Sequence, residues 1–340
     1  MPGPSISVIV PVFNNTRELR ECLSALLATA SPNVEIIVVD DASTDDTPAV
    51  AAGFGVRVLR LAKNSGPGGA RNHGARSAAG EILFFVDADV VVAPGALGRV
   101  ARLFEDHPDV AAVFGSYDSR PRATGVISQY RNLLHHFVHQ QGNAEASTFW
   151  GGCGAIRRSV FQGIGGFDAK RFPRPSIEDI ELGYRLRQAG YRILLDKGLQ
   201  GTHLKRWSLR SVIWTDITRR AIPWSRLILE SKHAPDDLNL KGGQRLSAGL
   251  VALACILFPL ATLRVEFLAP AAAALLGVVV VNRELFGFFL RERGLRFTVA
   301  CIPLHLLYYL YSGLSYVLVW TEWQLRGAAT RPGGAVERES

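Results

Sequence analysis

Cysteine is scarce in this chain of 340 residues, and its four copies, Cys22, Cys153, Cys255 and Cys301, are scattered without a CxxC pair. They read as reduced thiols, two of them inside long apolar runs, and not as a disulfide framework or paired-thiol metal motif. A positively charged start is also missing. Pro2, Pro4 and Pro11 interrupt the only apolar stretch near the N-terminus, so no signal peptide is expected. GK[ST] is absent, as is GxGxxG after the first strand, which removes the P-loop and dinucleotide-binding readings. Charge is absent from three stretches, residues 246–263, 267–281 and 297–320.

What is present is apolar: 48% of the residues are hydrophobic and the mean hydropathy is +0.14, high for a soluble protein. The last uncharged stretch is long enough for the ~30 Å hydrocarbon layer, which takes ~20 helical residues. Each earlier stretch alone could be a buried core helix, but three in succession favour about three membrane spans within 246–322. Lys232, Lys241 and Arg245 precede the first run, and Arg283, Arg291, Arg293 and Arg296 separate the second from the third, whereas only Arg264 joins the first two. Positive residues stay on the cytoplasmic side. The expectation is a multi-pass protein of the cytoplasmic membrane with its first 245 residues facing the cytoplasm. LFGFFLRER, 285–293, also fits a helix lying on a surface, apolar face down. A net charge of +8 and a pI near 9.6 suit anionic membrane lipids or a phosphorylated substrate. Nucleic acid is not an expected partner beside a membrane anchor.

The N-terminal half alternates. Apolar runs at 7–12, 35–39, 56–61 and 82–86 predict strands; helical spacing predicts helices at 16–28, 44–52 (capped by Ser43 or Thr44) and 69–79. Such alternation predicts a mostly parallel, Rossmann-like α/β sheet, whose ligands gather beyond the carboxyl ends of the strands. Four polar clusters fall there: Asn14 and Asn15, Asp40 and Asp41, residues 64–71, and Asp87 with Asp89. They should share one edge of the sheet. The domain layout expected is a catalytic-type domain at 1–207, an amphipathic interface segment at 208–245, the membrane helices at 246–322 and a disordered tail at 323–340.

Several residue sets carry candidate chemistry. Asp87-Ala-Asp89 ends an apolar strand, where two carboxylates can bridge Mg²⁺ or Mn²⁺ to a diphosphate or simply cap the next loop. NSGPGGARNHG, 64–74, is a glycine-rich loop opening a helix; its backbone N–H groups can approach phosphates, and Arg71 adds a forked donor. Asp41 can accept from a base or a ribose hydroxyl, or close an Asx turn. Glu178 and Asp179 stand just before a helix at 180–189, where acidic residues also serve as caps; Glu181 reads as a solvated face residue. His203, after a strand at 192–196, is a structural histidine or a ligand. Lys205, Arg206 and Trp207 suit a diphosphate or a sugar face.

Taken in order, SVIVPVFNN (7–15), VVDDASTDDT (38–47), NSGPGGARNHGA (64–75), VDAD (86–89), WGGCGAIRR (150–158), GGFD (165–168) and EDIELGYRLRQAGYRI (178–193) resemble family 2 glycosyltransferases of the GT-A fold. The resemblance covers residues 5–203 and implies inverting transfer of a sugar from a nucleotide-diphosphate donor. It implies that Pro11, Val12, Phe13 and Asn15 hold the nucleoside, with Asp41 on the base and Ser43 nearby. Gly69 and Arg71 meet the donor diphosphate, Asp87 the ribose or sugar with Ala88 beside it, and Asp89 the metal. Trp150, Gly151 and Gly152 line the donor sugar and acceptor. Asp179 matches the catalytic base, with Glu178 orienting it. In some metal-dependent relatives a histidine at the position of His203 joins the metal ligands, and Arg206 and Trp207 fall in the acceptor and sugar region. Asn15 stands where many relatives have an acidic residue, and Cys153 where they often have Asn. The cofactor implied is Mg²⁺ or Mn²⁺, and the acceptor a lipid-linked or glycan molecule. Two alternatives share part of this pattern. A sugar nucleotidyltransferase wants a basic glycine loop directly after the first strand, which PVFNN is not. A non-catalytic nucleotide-binding membrane protein has no use for Asp179.

Overall fold

The computed structural model describes residues 3–231 and 242–329. Over these it divides into two compact units. One runs to Val212 and includes Arg283–Cys301; the other takes in residues from Ile213, Gly242–Asn282 and the chain from Ile302.

The first unit is built on an eight-stranded sheet: β1 (Ile6–Val12), β2 (Val34–Asp40), β3 (Arg57–Arg60), β4 (Ile82–Val86), β5 (Val90–Val92), β6 (Val110–Tyr117), β7 (Cys153–Arg157) and β8 (Arg192–His203). Their order is β3-β2-β1-β4-β7-β6-β8-β5. β1 to β4 pair in parallel as the alternation predicts, but β7 is antiparallel to both β4 and β6, and β5 is antiparallel to β8. The sheet is mixed. β1 and β4 are buried along their whole lengths because helices cover both faces, the environment that continuous apolar runs require. Val8, Val10, Phe84 and Val86 join a core with Leu19, Leu23 and Leu26 of α1 (Thr16–Thr29) and Val100 and Phe104 of α4 (Ala96–Asp106). Phe85 points the other way, its ring 5.3 Å from both Phe161, in α6 (Arg158–Gly163), and Phe167. Full burial of each such side chain contributes about 1.5–3 kcal/mol. On that second face α3 (Gly66–Ser77) approaches so closely that a Cβ on Gly74 would come within 2.6 Å of Ile9 Cγ2.

Several boundaries differ from the sequence expectation. α2 spans Thr47–Ala52, not 44–52, because side chains hold the preceding residues in turns. Asn14 Oδ1 accepts from the Thr44 N–H (2.8 Å), and Asp45 Oδ1 from the Thr47 N–H (3.0 Å). α3 starts three residues early, with Pro67 in its first turn, where a missing N–H is harmless. α7 (Glu178–Gln188) already includes Glu178 and Asp179, which lie in its first turn. β8 runs on to His203, so that residue ends a strand and does not follow one.

The uncharged C-terminal stretches also resolve differently. α10 (Gly242–Ala261) is long and apolar enough to cross a bilayer, but α11 (Leu268–Val281) has 14 residues, about 21 Å at ~1.5 Å per residue. That falls short of the ~30 Å core. α12 (Arg283–Ala329) breaks at Gly294, whose φ of 78° and ψ of 178° no helix contains. Two helices, α10 and the 44-residue stretch Arg283–Arg326, therefore pass the length and composition test, and the second of the three expected spans falls on the shorter apolar helix Val265–Val281. The start of α12 belongs to the first unit and packs on α5 (Val126–Gln140) there: Phe289 lies 6.1 Å from Tyr130, Phe288 5.5 Å from Phe137, and Arg293 donates to Gln129 Oε1 (2.8 Å) and the Ser119 carbonyl (2.7 Å). The apolar face of LFGFFLRER is thus partly covered by protein.

In the second unit, polar groups tie the apolar helices together. Asn282 Nδ2 donates to Ser247 Oγ (3.0 Å), and the Tyr309 hydroxyl lies 2.8 Å from Asn282 Oδ1 and 2.7 Å from Gln244 Oε1. The segment expected to be amphipathic carries α8 (Leu209–Thr215), a π-helical turn at Asp216–Ala221 and α9 (Ile222–Ser231), with Trp214 exposed. The rest of the 208–245 segment up to residue 241 lies outside the described residues. α12 continues through Ala329 where a disordered tail was expected; the remainder of 323–340 lies outside the described residues.

Candidate active site

Strand register brings the predicted residues together. β1, β2 and β4 run in parallel, so Asn14, Asp41 and Asp87 emerge at the same edge. β4 pairs with β7 through Val86 and Cys153, which sets Asp87 opposite Gly152, and the Asp87 N–H donates to the Gly152 carbonyl (3.1 Å). β5 pairs with β8 through Val90 and His203, and Leu204 N–H donates to the Asp89 carbonyl (2.9 Å). Asp89 and His203 thereby meet across the ladder, Oδ2 to Nε2 3.5 Å.

At the first strands the turns are fixed by side chains. Ser43, buried, accepts from the Asn14 N–H (2.9 Å), and the Asn15 N–H donates to Thr47 Oγ1 (3.0 Å). Asn14 and Ala42 both have positive φ, 49° and 65°. Pro11 and Val12 are buried, so this strand offers the site its backbone and the exposed Phe13. Asp41 Oδ1 accepts from both N–H (2.7 Å) and Oγ (2.9 Å) of Ser65, which moors the glycine loop to β2. Burial pushes the Asp41 carboxyl up from its ordinary value against the pull of those bonds. Gly66 has φ +74°, and a Cβ there would lie 2.6 Å from the Pro173 carbonyl oxygen, so no other residue fits this turn. Gly69 follows in the first turns of α3, half-buried.

Arg71 differs from its expected place. Its side chain is buried and spans two carboxylates, Asp87 Oδ1 at 2.5 Å and Glu178 Oε1 at 3.2 Å. Burial opposes its charge, but the neighbouring carboxylates hold the guanidinium above its ordinary value. The fork is engaged within the protein instead of lying open to a phosphate. Gly151 lies against it, since a Cβ at that position would be 3.3 Å from Arg71 Cζ. Glu178 is fixed at its other oxygen by the Ser176 N–H (2.8 Å). Asp179 is half-buried beside it; Oδ2 accepts the Gly151 N–H (3.0 Å) and Oδ1 the Ile180 N–H (2.8 Å). Burial first, then the charge of Glu178, push the Asp179 carboxyl up to about 7, overcoming the Gly151 bond and Arg71. A carboxyl poised there can take or give a proton near neutrality. Asp179 and Arg71 thus converge on one edge with Asp87 and the glycines at 151 and 152. Glu181, expected on a solvated face, is buried and paired with Arg185 (2.6 Å), which also donates to the Ile164 and Gly166 carbonyls (both 2.7 Å).

Asp87 and Asp89 do not face one ligand from an extended strand; residues 87–89 form a tight turn, the Val90 N–H donating to the Asp87 carbonyl (2.9 Å). Asp87 turns to Arg71 and Asp89 to His203. Burial would raise the Asp89 carboxyl, but the hydrogen bond and charge of His203 and the charge of Lys205 hold it below the usual carboxylate range. Among the described residues no group of three or more His, Cys, Asp or Glu side chains is arranged around one point. The fit to a divalent ion therefore rests on an ionised oxygen and an imidazole nitrogen 3.5 Å apart, which suits an ion that takes its other ligands from a diphosphate and water.

The residues expected to line the sugar and acceptor, with Ala88 of the donor side, are packed tightly. Trp150, half-buried, lies 4.9 Å from Tyr117 and 4.8 Å from His135, ring to ring. Ala88 and Gly152 are buried. Lys205 Nζ sits 4.3 Å above the Trp207 ring, covering one face, and Arg206 is exposed. Cys153 is buried in β7, and burial pushes its thiol up to about 12, which makes it inert packing. The residues that sequence reasoning missed are Asn132, whose Oδ1 is 2.6 Å from His203 Nδ1, and Tyr117, stacked on the His203 ring at 4.3 Å and 8°. Neither has a local signal; both reach His203 through long-range packing.

An α/β sheet with carboxylates, an arginine and a glycine loop gathered at its strand ends has the architecture of the GT-A fold. The family model described as Glycosyl transferase family 2 matches residues 7–165, so this part of the chain is similar to family 2 glycosyltransferases. Among curated relatives it is 34% identical over 123 residues to the succinoglycan biosynthesis protein ExoO of Rhizobium meliloti (strain 1021), covering 33% of this chain and 35% of that one. It is 33% identical over 184 residues to an uncharacterized glycosyltransferase of Rickettsia prowazekii (strain Madrid E), covering 49% of this chain and 54% of that one. The chain thus spans about a third to a half of the lengths of these relatives. Its fold is that of the mannosyltransferase PcManGT from Pyrobaculum calidifontis in complex with GDP-Man and Mn²⁺, with TM-score 0.60 and 21% identity over 93% of this chain and 88% of that one.

Proposed function

We propose that this protein is an inverting glycosyltransferase that moves a sugar from a nucleotide-diphosphate donor to a hydroxyl or phosphate acceptor, lipid-linked or part of a cell-envelope glycan, at the cytoplasmic membrane face. The observation that carries the reading is the Asp179 carboxyl, held by the Gly151 N–H and raised to about 7 beside the Arg71–Asp87–Glu178 cluster. Inversion needs one base. Asp179 takes the proton of the acceptor hydroxyl as its oxygen bonds to the anomeric carbon, and the bond from that carbon to the donor phosphate oxygen breaks, releasing the nucleoside diphosphate. Glu178 and Arg71 orient the site, with Asp87 on the ribose or sugar. The turn at Phe13, Asn15, Asp41 and Ser43 receives the nucleoside, and the loop through Gly69 faces the diphosphate. Trp150, Arg206 and Trp207 bound the acceptor side. Asp89 and His203 would hold Mg²⁺ or Mn²⁺, which when bound neutralises the leaving diphosphate. The relative of like fold is complexed with GDP-Man and Mn²⁺, and the ExoO relative serves succinoglycan synthesis; both support this donor and acceptor class.

Assaying the purified protein against a panel of nucleotide sugars tests the reading. Release of nucleoside diphosphate from at least one donor is expected. Pyrophosphate chemistry would assign a nucleotidyltransferase instead, and no turnover with any donor a non-catalytic binder.

α10, the shorter apolar segment Val265–Val281 returning through the layer, and the later part of α12 are the proposed spans. The basic residues at 245, 283, 291, 293 and 296 set the cytoplasmic side, opposite Arg264. Alkaline carbonate should leave the protein in the membrane, and Arg264→Cys should react with an impermeant thiol reagent in intact cells. Extraction by carbonate, or labelling only after lysis, would contradict this topology.

A further inference from the structure

Asn132 sits mid-way along α5 and is 1% exposed. Its Oδ1 lies 2.6 Å from His203 Nδ1, while its Nδ2 is buried with no hydrogen-bond partner. An unsatisfied buried amide costs about 1–3 kcal/mol, so the residue is poor as packing and its oxygen is the part in use. The other His203 nitrogen, Nε2, faces Asp89 Oδ2 at 3.5 Å. Tyr117 stacks on the imidazole at 4.3 Å and 8°, fixing the ring plane, so only the choice of protonated nitrogen remains open. A carbonyl oxygen against Nδ1 makes that choice, because Nδ1 must then carry the proton and Nε2 keeps the lone pair available to a cation.

We infer that Asn132 is a positioning residue for divalent-cation binding: its side-chain oxygen accepts the His203 Nδ1 proton and thereby aims His203 Nε2, together with Asp89, at the ion. This rests on the cation site proposed above and adds a residue from α5, 71 positions from His203. The link also gives α5 a role, since the same helix carries Gln129 and Tyr130, against which Arg293 and Phe289 of α12 are packed.

Mn²⁺ alone, titrated into the full chain in detergent and followed by electron paramagnetic resonance of the free ion, reads the site without turnover. Asn132→Leu, which keeps the volume and removes the acceptor, is expected to weaken Mn²⁺ by about 10–100-fold. Asn132→Asp, which keeps an acceptor oxygen, is expected to bind within about threefold of wild type or more tightly, as carboxylate-supported histidine ligands do. In a His203→Ala background neither substitution should change the residual affinity further. In ¹⁵N spectra of the Mg²⁺-saturated wild-type chain, His203 should carry its proton on Nδ1. The inference is overturned if Asn132→Leu binds as wild type does, if the effects persist without His203, or if the proton resides on Nε2. Equal damage from Leu and Asp would also overturn it, since that marks a packing role; thermal melts of both variants separate this from loss of fold. Failure of the wild-type chain to bind Mn²⁺ at all would remove the cation site itself, whereas binding indifferent to Asn132 removes only the positioning role.

Discussion

Asp179→Asn is expected to slow sugar transfer by about 10²–10⁴-fold, the contribution of a positioned general base, while donor affinity stays near that of wild type. The two N–H bonds go to different carboxylate oxygens, so the amide oxygen keeps one of them, to Gly151 or Ile180, while the isosteric side chain still fills its place in the α7 turn and the proton acceptor is lost. The pH dependence carries a sign. The base must be ionised to act, and its carboxyl is raised to about 7, so kcat/KM of the wild type should climb with pH to about 7 and level off above it. Stability runs the other way. The folded chain holds this proton more tightly than the unfolded one, whose carboxyl titrates near ~3.9; the stabilisation from the proton is full at low pH and lost as pH rises through about 7. The melting point of the non-titrating Asn variant relative to wild type should therefore rise between pH 5 and pH 8. A rate equal to wild type in transfer assays, or a rate limb with no inflection near neutrality, would remove Asp179 from its role.

Arg71→Ala should be costly in a different currency, namely stability. Arg71 is the cation between Asp87 and Glu178, and Glu178 is nearly inaccessible to solvent. Removing one partner of a buried ion pair typically costs about 3–5 kcal/mol; here the lower end is expected, because the Asp87 side chain is 33% exposed. Thermal denaturation should show it directly. Arg71→Lys should not restore the wild-type value, since one ammonium cannot fork to carboxylates on α7 and at the end of β4 at once. The Arg71 charge also holds the Asp179 carboxyl down, so in Arg71→Ala protein that still folds the rising limb of kcat/KM should move to higher pH. A melting point unchanged in Arg71→Ala would mean that the two carboxylates are solvated or protonated in solution.

How much of this was legible in the chain depended on range. β1 to β4, their parallel pairing and the polar clusters at their ends follow from short apolar runs and turn residues, and Ile82–Val86 matches its expected bounds. The second half of the sheet was not legible, because β7, β6, β8 and β5 pair out of sequence order and mostly antiparallel. β8 hid its extent behind Lys197, Gly198, Gln200 and Gly201, residues that read as loop. The approach of Asp89 to His203 depends on that hidden register, and the contact of Asn132 with His203 on helix packing. The ion pairs of Arg71 were not legible, since a glycine loop beside an arginine looks the same in sequence whether the guanidinium meets a phosphate or bridges Asp87 and Glu178. Phe288 and Phe289 posed a similar ambiguity: an apolar helix face carries no mark saying whether lipid or α5 covers it.

The most direct measurement is a structure of the full chain bound to a nucleotide-sugar donor, an acceptor analogue and Mn²⁺. The account predicts the diphosphate at the edge formed by β1, β2 and β4, the ion touching Asp89 and His203, and the acceptor hydroxyl within hydrogen-bond reach of Asp179. A nucleotide bound away from that edge, or an acceptor hydroxyl served by another side chain while Asp179 stays turned to Gly151, would contradict it.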